Sequence, residues 1–132
     1  MKIPYGKQNI TNADIDAVIE VLKSPLITQG PTVPKFEQSI CDYVGCKYGV
    51  AVSSATAALH IAVKALGLCN DDILWTSPIT FVASANCGLY CGAEIDFVDI
   101  DPETYNMCPK ALENKLIVAE KTGKLPSVVV VV

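Results

Sequence analysis

The feature that most constrains the fold of this chain is a strand, a turn of small polar residues and a helix, repeated in that order. Residues 48–52 form an apolar run typical of a short buried strand, residues 53–56 are small and polar, and residues 57–66 have the composition of a helix. The pattern recurs with a strand at 73–76 and a helix at 79–90. Because strands that alternate with helices pair mainly in parallel, the repeat predicts an α/β fold.

Further elements are predicted on both sides of this repeat. Before it, one helix runs from the N-cap Thr11 to about residue 24, and a second covers residues 32–44. After it, the pattern predicts a strand at 94–98, a helix at 109–120 and a strand at 128–132. The last strand contains only valine, as expected for a strand covered on both faces of a parallel sheet. Natural domains seldom stop at such a strand, so we expect the chain to be truncated.

The composition argues against several classes of function. With 51% apolar and 18% charged residues, the chain is too hydrophobic to be intrinsically disordered. It contains ten lysines but no arginine and has a net charge of −4, so no binding of nucleic acid is expected. No apolar stretch reaches the roughly 18 residues of a membrane-spanning helix. No signal peptide precedes the cysteines, so we expect a cytoplasmic protein with reduced thiols.

The six cysteines and the single histidine lack the spacing of a metal site. No C-x-x-C pair occurs and His60 is the only histidine, so a zinc site is not expected. Cys87 and Cys91 lie four residues apart on one face of a predicted helix, where packing is their expected role. His60 stands between Leu59 and Ile61 and is expected to pack rather than to catalyse.

The first candidate site is the small polar turn at residues 53–57. It follows a predicted strand and opens a helix, where unpaired backbone N–H groups and the helix dipole favour an anion. The hydroxyls of Ser54 and Thr56 could complete a site for a phosphate group. The alternative is that Ser53 or Ser54 only caps the helix. Since neither G-x-G-x-x-G nor G-x-x-x-x-G-K-[ST] is present, a dinucleotide or ATP is disfavoured.

Two later segments are further candidates. Residues 77–86 follow the next strand, and Phe81 could offer a flat face to a heteroaromatic ring, although an ordinary core aromatic is the alternative. Residues 99–103 contain Asp99, Asp101 and Glu103, which could bind a cation or transfer protons. The alternative, which we favour, is an Asp-Pro turn in which an aspartate caps backbone N–H groups.

The order of the motifs resembles the DegT/DnrJ/EryC1/StrS family of sugar aminotransferases, which use pyridoxal 5′-phosphate. The resemblance rests on six segments in order, namely residues 4–6 (PYG), 26–31 (LITQGP), 36–37 (FE), 54–60 (SATAALH), 77–86 (SPITFVASAN) and 97–106 (FVDIDPETYN). Within the family, the chain most resembles the transaminases of pseudaminic acid biosynthesis. The resemblance implies a three-layer α/β/α fold, that of the aspartate aminotransferase-like large domain (PLP-dependent transferase fold type I), present here only in part.

The resemblance also assigns roles to particular residues. In the family, the S-[AG]-T-A turn holds the cofactor phosphate, which maps to Ser54, Ala55, Thr56 and Ala57, and the aromatic residue stacked on the pyridine ring maps to Phe81. The positions that contact the nucleotide sugar map to Tyr5, Pro25, Leu26, Ile27, Thr28 and Ala55. Residues 1–46 would then be N-terminal helices with a substrate loop, and residues 47–132 the first part of the cofactor-binding domain, truncated in a buried strand.

The activity that the resemblance implies is transamination at C4 of a keto nucleotide sugar, with glutamate as the amino donor and a homodimer as the full-length protein. The lysine that holds the cofactor covalently and the aspartate that protonates its pyridine nitrogen belong to motifs beyond Val132, so no catalytic residue is assigned and the chain alone is expected to be inactive. Two alternatives stay open: a related dehydratase that keeps the cofactor but replaces the lysine, and a non-catalytic α/β binding module.

Overall fold

The computed structural model describes residues 6–132 and divides the chain into two compact units, one ending at Ala51 and one covering Val52–Val132. The described residues form five helices and three strands. In chain order these are α1 (Asn12–Lys23), α2 (Thr32–Val44), α3 (Ala55–Ala65), β1 (Ile73–Thr76), α4 (Ala83–Leu89), β2 (Glu94–Phe97), α5 (Pro109–Thr122) and β3 (Val128–Val130).

The first unit contains the two predicted N-terminal helices, and both predictions are confirmed. Helix α1 begins with a capping box in which the Thr11 Oγ1 accepts from the Asp14 N–H while the Asp14 carboxylate accepts from the Thr11 N–H. Helix α2 ends at Gly45, whose φ of 71° is the left-handed conformation that closes a helix without a steric penalty. Both ends were predictable because each depends on residues only a few positions apart.

The second unit is built on a parallel sheet with the strand order β2-β1-β3. Because side chains alternate along a strand, Leu74 and Trp75 of β1 enter different clusters. Leu74 packs with residues of α3 and α4, whereas Trp75 packs with Ala119 of α5 and with Val98. Helices therefore cover both faces of the sheet, which is the layer arrangement of an α/β/α fold.

A glycine allows α4 to approach the sheet closely. A Cβ atom built on Gly88 would lie 2.5 Å from the Cδ1 of Ile95 and 3.2 Å from the Cβ of Leu74. A larger residue would fit there only if the Ile95 side chain turned aside and the Leu74 contacts lengthened slightly. The close approach also buries Cys87 and Cys91 among the apolar residues of the same cluster, which confirms their predicted packing role.

The edge strand β2 is held by a lysine of α5. The Nζ of Lys115 forms an ion pair with Asp96 at 2.7 Å, donates a hydrogen bond to the Phe97 carbonyl and lies 4.8 Å from the centre of the Trp75 ring. The hydrogen bond from Lys115 lowers the pKa of Asp96.

Three predicted elements differ from the structure. Residues 48–52 are not a strand, since no described strand pairs with them and an apolar run alone cannot form a ladder. Helix α4 begins at Ala83 rather than near Ile79, after the β-branched residues Ile79, Thr80 and Val82, whose side chains lose freedom in a helix. The final strand is shorter than predicted and only half-buried. Among the described strands, β3 has a neighbour, β1, on only one of its two sides. Over residues 6–132, no helix is long and apolar enough to span a membrane.

Candidate functional site

The start of α3 is the best-defined polar site of the second unit. Ser54 has extended backbone angles, its Oγ accepts a hydrogen bond from the Ala57 N–H at 3.2 Å, and its carbonyl accepts from the Ala58 N–H at 3.0 Å. The predicted capping role of Ser54 is therefore confirmed. The cap does not involve the N–H groups of Ala55 and Thr56. These two groups form no hydrogen bond to any residue between 6 and 132.

The surroundings of these two N–H groups suit an anion. The first turn of α3 contains no acidic residue, so nothing in it competes with an anion for the positive end of the helix dipole. Ser54 and Ala55 are exposed, and the methyl group of Ala55 leaves room for a bulky ligand. The Thr56 side chain is half-buried and brings a second hydroxyl to the turn. The arrangement provides two backbone donors and two hydroxyls, a donor set that fits a phosphate group.

The segment between β1 and α4 places an aromatic ring in solvent. Phe81 is 73% exposed, so the alternative that it is an ordinary core aromatic is wrong for the part of the chain described. Its carbonyl accepts a hydrogen bond from the Ser84 N–H at 3.1 Å, which fixes the segment to the first turn of α4. Helix α4 packs against α3, the helix that Ser54 caps. An exposed aromatic side chain here is available to contact a flat ligand.

Ser77, directly after β1, opens the candidate segment at residues 77–86, in which only Phe81 was expected to contact a ligand. It is 1% exposed, and its Oγ has no hydrogen-bond partner among the residues that the structure describes. Later in the same segment, the hydroxyls of Thr80 and Ser84 lie 3.3 Å apart. The signal in the sequence was only a serine directly after a strand, and such a position does not reveal whether the hydroxyl is partnered.

The acidic segment at residues 99–103 forms a turn, as favoured. The Asp101 carboxylate accepts hydrogen bonds at 2.9 Å from the N–H groups of both Thr104 and Glu103, and these bonds lower its pKa. Asp99 accepts from the N–H of Ile100. Within residues 6–132, no group of three or more His, Cys, Asp or Glu side chains is placed to hold a metal ion. His60 is half-buried, with its ring 5.2 Å from that of Tyr90.

The predicted substrate residues lie mainly in the first unit. Leu26 and Ile27 are 58% and 65% exposed, in the loop between α1 and α2. Gly30 closes this loop, since a Cβ there would lie 2.6 Å from the Leu26 carbonyl oxygen. Pro25 and Thr28 are exposed in the same loop, Ala55 belongs to the second unit, and Tyr5 falls outside the described residues.

Comparison with known proteins identifies relatives over most of the chain. The model of the DegT/DnrJ/EryC1/StrS aminotransferase family matches residues 8–132. A UDP-4-amino-4,6-dideoxy-N-acetyl-β-L-altrosamine transaminase from Campylobacter jejuni strain 81-176 is 43% identical over 115 residues, which are 87% of this chain and 30% of the relative.

Solved structures agree with this match. Helicobacter pylori PseC, an aminotransferase involved in the biosynthesis of pseudoaminic acid, superposes with a TM-score of 0.87 at 29% identity, covering 99% of this chain and 34% of that one. The PLP form of Spr1654, a putative sugar aminotransferase from Streptococcus pneumoniae, gives a TM-score of 0.80 at 32% identity over 86% of this chain and 29% of its own. The chain therefore spans about a third of the length of the proteins that it matches.

Proposed function

Because the chain belongs to the DegT/DnrJ/EryC1/StrS aminotransferase family, we propose that it forms the part of a nucleotide-sugar aminotransferase that holds the phosphate and one ring face of pyridoxal 5′-phosphate. The observation that carries this proposal is the capped start of α3, where the Ala55 and Thr56 N–H groups have no partner among residues 6–132. A phosphate ester is an anion of the kind that such a helix start binds.

The residues present fit two parts of the cofactor, its phosphate group and one face of its pyridine ring. Ser54, Ala55, Thr56 and Ala57 would hold the phosphate through backbone N–H groups and hydroxyls, and the exposed ring of Phe81 would cover one face of the pyridine. When bound, the cofactor supplies the electron sink that amino-group transfer needs. The task of this chain is therefore to anchor and orient the cofactor and to shield one side of the ring from water.

For the reaction, we propose transamination of a UDP-4-keto-6-deoxy-N-acetylhexosamine with glutamate as the amino donor. Support comes from the Campylobacter jejuni relative, a UDP-4-amino-4,6-dideoxy-N-acetyl-β-L-altrosamine transaminase, and from the likeness to Helicobacter pylori PseC. The exposed loop with Pro25, Leu26, Ile27 and Thr28, together with Tyr5 and Ala55, would contact the nucleotide sugar, and the native-length protein would act as a homodimer.

The test uses the native-length protein with pyridoxal 5′-phosphate, the 4-keto nucleotide sugar and glutamate labelled with ¹⁵N in its amino group. We expect the label in the sugar product and an equal amount of 2-oxoglutarate. A Ser54→Ala variant should be slower, whereas Thr11→Ala, which removes the cap of a different helix, should retain the activity. Consumption of the sugar without nitrogen transfer would instead indicate the dehydratase alternative, and a protein that binds the cofactor but converts neither substrate would indicate a binding module.

A further inference from the structure

The end of α2 brings two cysteines together through its backbone. The carbonyl oxygen of Cys41 accepts hydrogen bonds from the N–H groups of both Gly45 and Cys46, the latter at 3.1 Å. This is the Schellman arrangement, in which the chain reverses at a left-handed glycine. The residue after that glycine then contacts the residue five positions before it. Here the two residues joined by this backbone hydrogen bond are both cysteines, Cys41 and Cys46.

The two thiols differ in exposure. Cys41 is 5% exposed and is the only buried residue of α2, whereas Cys46 is exposed. The chain crosses closely above Cys41 at Gly49, where a Cβ would lie 3.0 Å from the Cys41 Sγ. The Cys46 Sγ donates a hydrogen bond to the Tyr48 carbonyl at 3.2 Å. Burial and a hydrogen bond with the Cys46 thiol raise the pKa of Cys41.

We propose that Cys41 and Cys46 form a reversible intramolecular disulfide by exchange with a low-molecular-weight disulfide such as oxidised glutathione. The Cys46 thiolate, which the oxidant can reach, attacks one sulfur and releases the first glutathione thiolate. The Cys41 thiolate then attacks the Cys46 sulfur of the mixed disulfide and releases the second. The two cysteines lose two electrons and two protons, and one oxidised glutathione becomes two reduced ones.

The other cysteines do not combine an exposed thiol with a shielded one in the way that Cys46 and Cys41 do. Cys87 and Cys91 are both buried, so neither offers an exposed thiol to the oxidant. Cys69 is exposed, but its thiol lies 3.2 Å from the Asp72 carboxylate, and this hydrogen bond raises its pKa. Cys108 is half-buried rather than exposed. An exposed cysteine joined through its backbone to a buried one is thus found at the α2 end. Such a pair closes to a disulfide instead of remaining a mixed one.

The sequence allows this disulfide to be detected without ambiguity. Trypsin cleaves after Lys35 and Lys47, and the peptide between them, residues 36–47, contains Cys41 and Cys46 and no other cysteine. The folded 132-residue chain is equilibrated in a glutathione redox buffer, quenched with acid, alkylated and digested. We expect peptide 36–47 to lack two hydrogens and to carry no alkyl group. Cys41→Ser should retain glutathione on Cys46, and the matched control Cys69→Ser should behave as the unaltered chain.

A synthetic peptide of residues 36–47 serves as the unfolded reference. Because the helix end holds the two cysteines together through the backbone, the equilibrium constant for ring closure in the folded chain should exceed that in the peptide by about tenfold. Equal constants in the chain and the peptide would overturn the proposal. The proposal would also be overturned if peptide 36–47 from the folded chain kept two free thiols, or if it carried glutathione on Cys46 without forming the disulfide.

Discussion

Ser54→Ala is the substitution that separates the two roles of the helix start. In the structure, Ser54 Oγ accepts from the Ala57 N–H at 3.2 Å, and loss of such an N-cap lowers the free energy of unfolding by about 1 kcal/mol. If the same hydroxyl donates to a phosphate, the variant also loses a charge-assisted hydrogen bond of roughly 1.5–3 kcal/mol. At about 1.4 kcal/mol for each factor of ten, the dissociation constant of a phosphate ester should rise about tenfold to a hundredfold.

The assay is a titration of the folded chain with pyridoxine 5′-phosphate. This ligand has the phosphate and ring of the cofactor but no aldehyde, so it cannot react with the ten lysines of the chain. Binding is followed by calorimetry, and urea unfolding of each variant confirms that it is folded during the titration.

Thr11→Ala is the matched control, because Thr11 caps α1 as Ser54 caps α3. It should lose about as much stability and no affinity. If Ser54→Ala binds the ligand as the unaltered chain does, or if both variants lose affinity equally, Ser54 is only a cap and the phosphate assignment is refuted.

Three further predictions concern the ring face and the sheet. Phe81→Leu should weaken pyridoxine 5′-phosphate binding by a loss of about 0.5–1.5 kcal/mol in the calorimetric titration, whereas the control Phe36→Leu, at another exposed phenylalanine, should not. Since the ion pair lowers the pKa of Asp96 in the folded state, it stabilises the fold above the usual aspartate pKa, and this contribution is lost as the pH falls through the lowered value. In the Lys115→Met variant, the midpoint of urea unfolding should therefore decrease less between neutral and acidic pH than in the unaltered chain. An unchanged pH dependence of the midpoint would contradict the ion pair between Lys115 and Asp96. Gly88→Ala should lower the free energy of unfolding by about 1–3 kcal/mol in urea, because its Cβ would overlap side chains of β1 and β2, and a neutral effect would show that the Ile95 side chain turns aside.

The parts of the fold that follow from local sequence were predictable. Thr11 and Asp14 are three residues apart and form their capping box within one turn, and Gly45 ends α2 through its own backbone angle. The cap at Ser54 is also local, because a serine directly before a helix can accept a hydrogen bond from an N–H group of the first helical turn. Each of these interactions is complete within a few residues, so the sequence pattern contains all its partners.

The parts that depend on distant partners were not predictable. Residues 48–52 have the composition of a strand, but a strand exists only where a neighbour pairs with it. Whether Phe81 is buried depends on what packs over the segment before α4, and the ring is exposed over the residues described. The lack of a partner for the Ser77 hydroxyl is likewise a property of its three-dimensional surroundings. In the site, the helix cap was therefore foreseeable and the surroundings of the ring were not.

The most direct test of the central claim compares pyridoxine 5′-phosphate with pyridoxine in titrations of the folded chain. The two ligands share one ring and differ only in the phosphate that the start of α3 is proposed to hold. The phosphate ester should bind at least about tenfold more tightly, and inorganic phosphate should compete with it. Equal affinity for the two ligands, with no competition by inorganic phosphate, would contradict the claim that this chain anchors the cofactor through its phosphate.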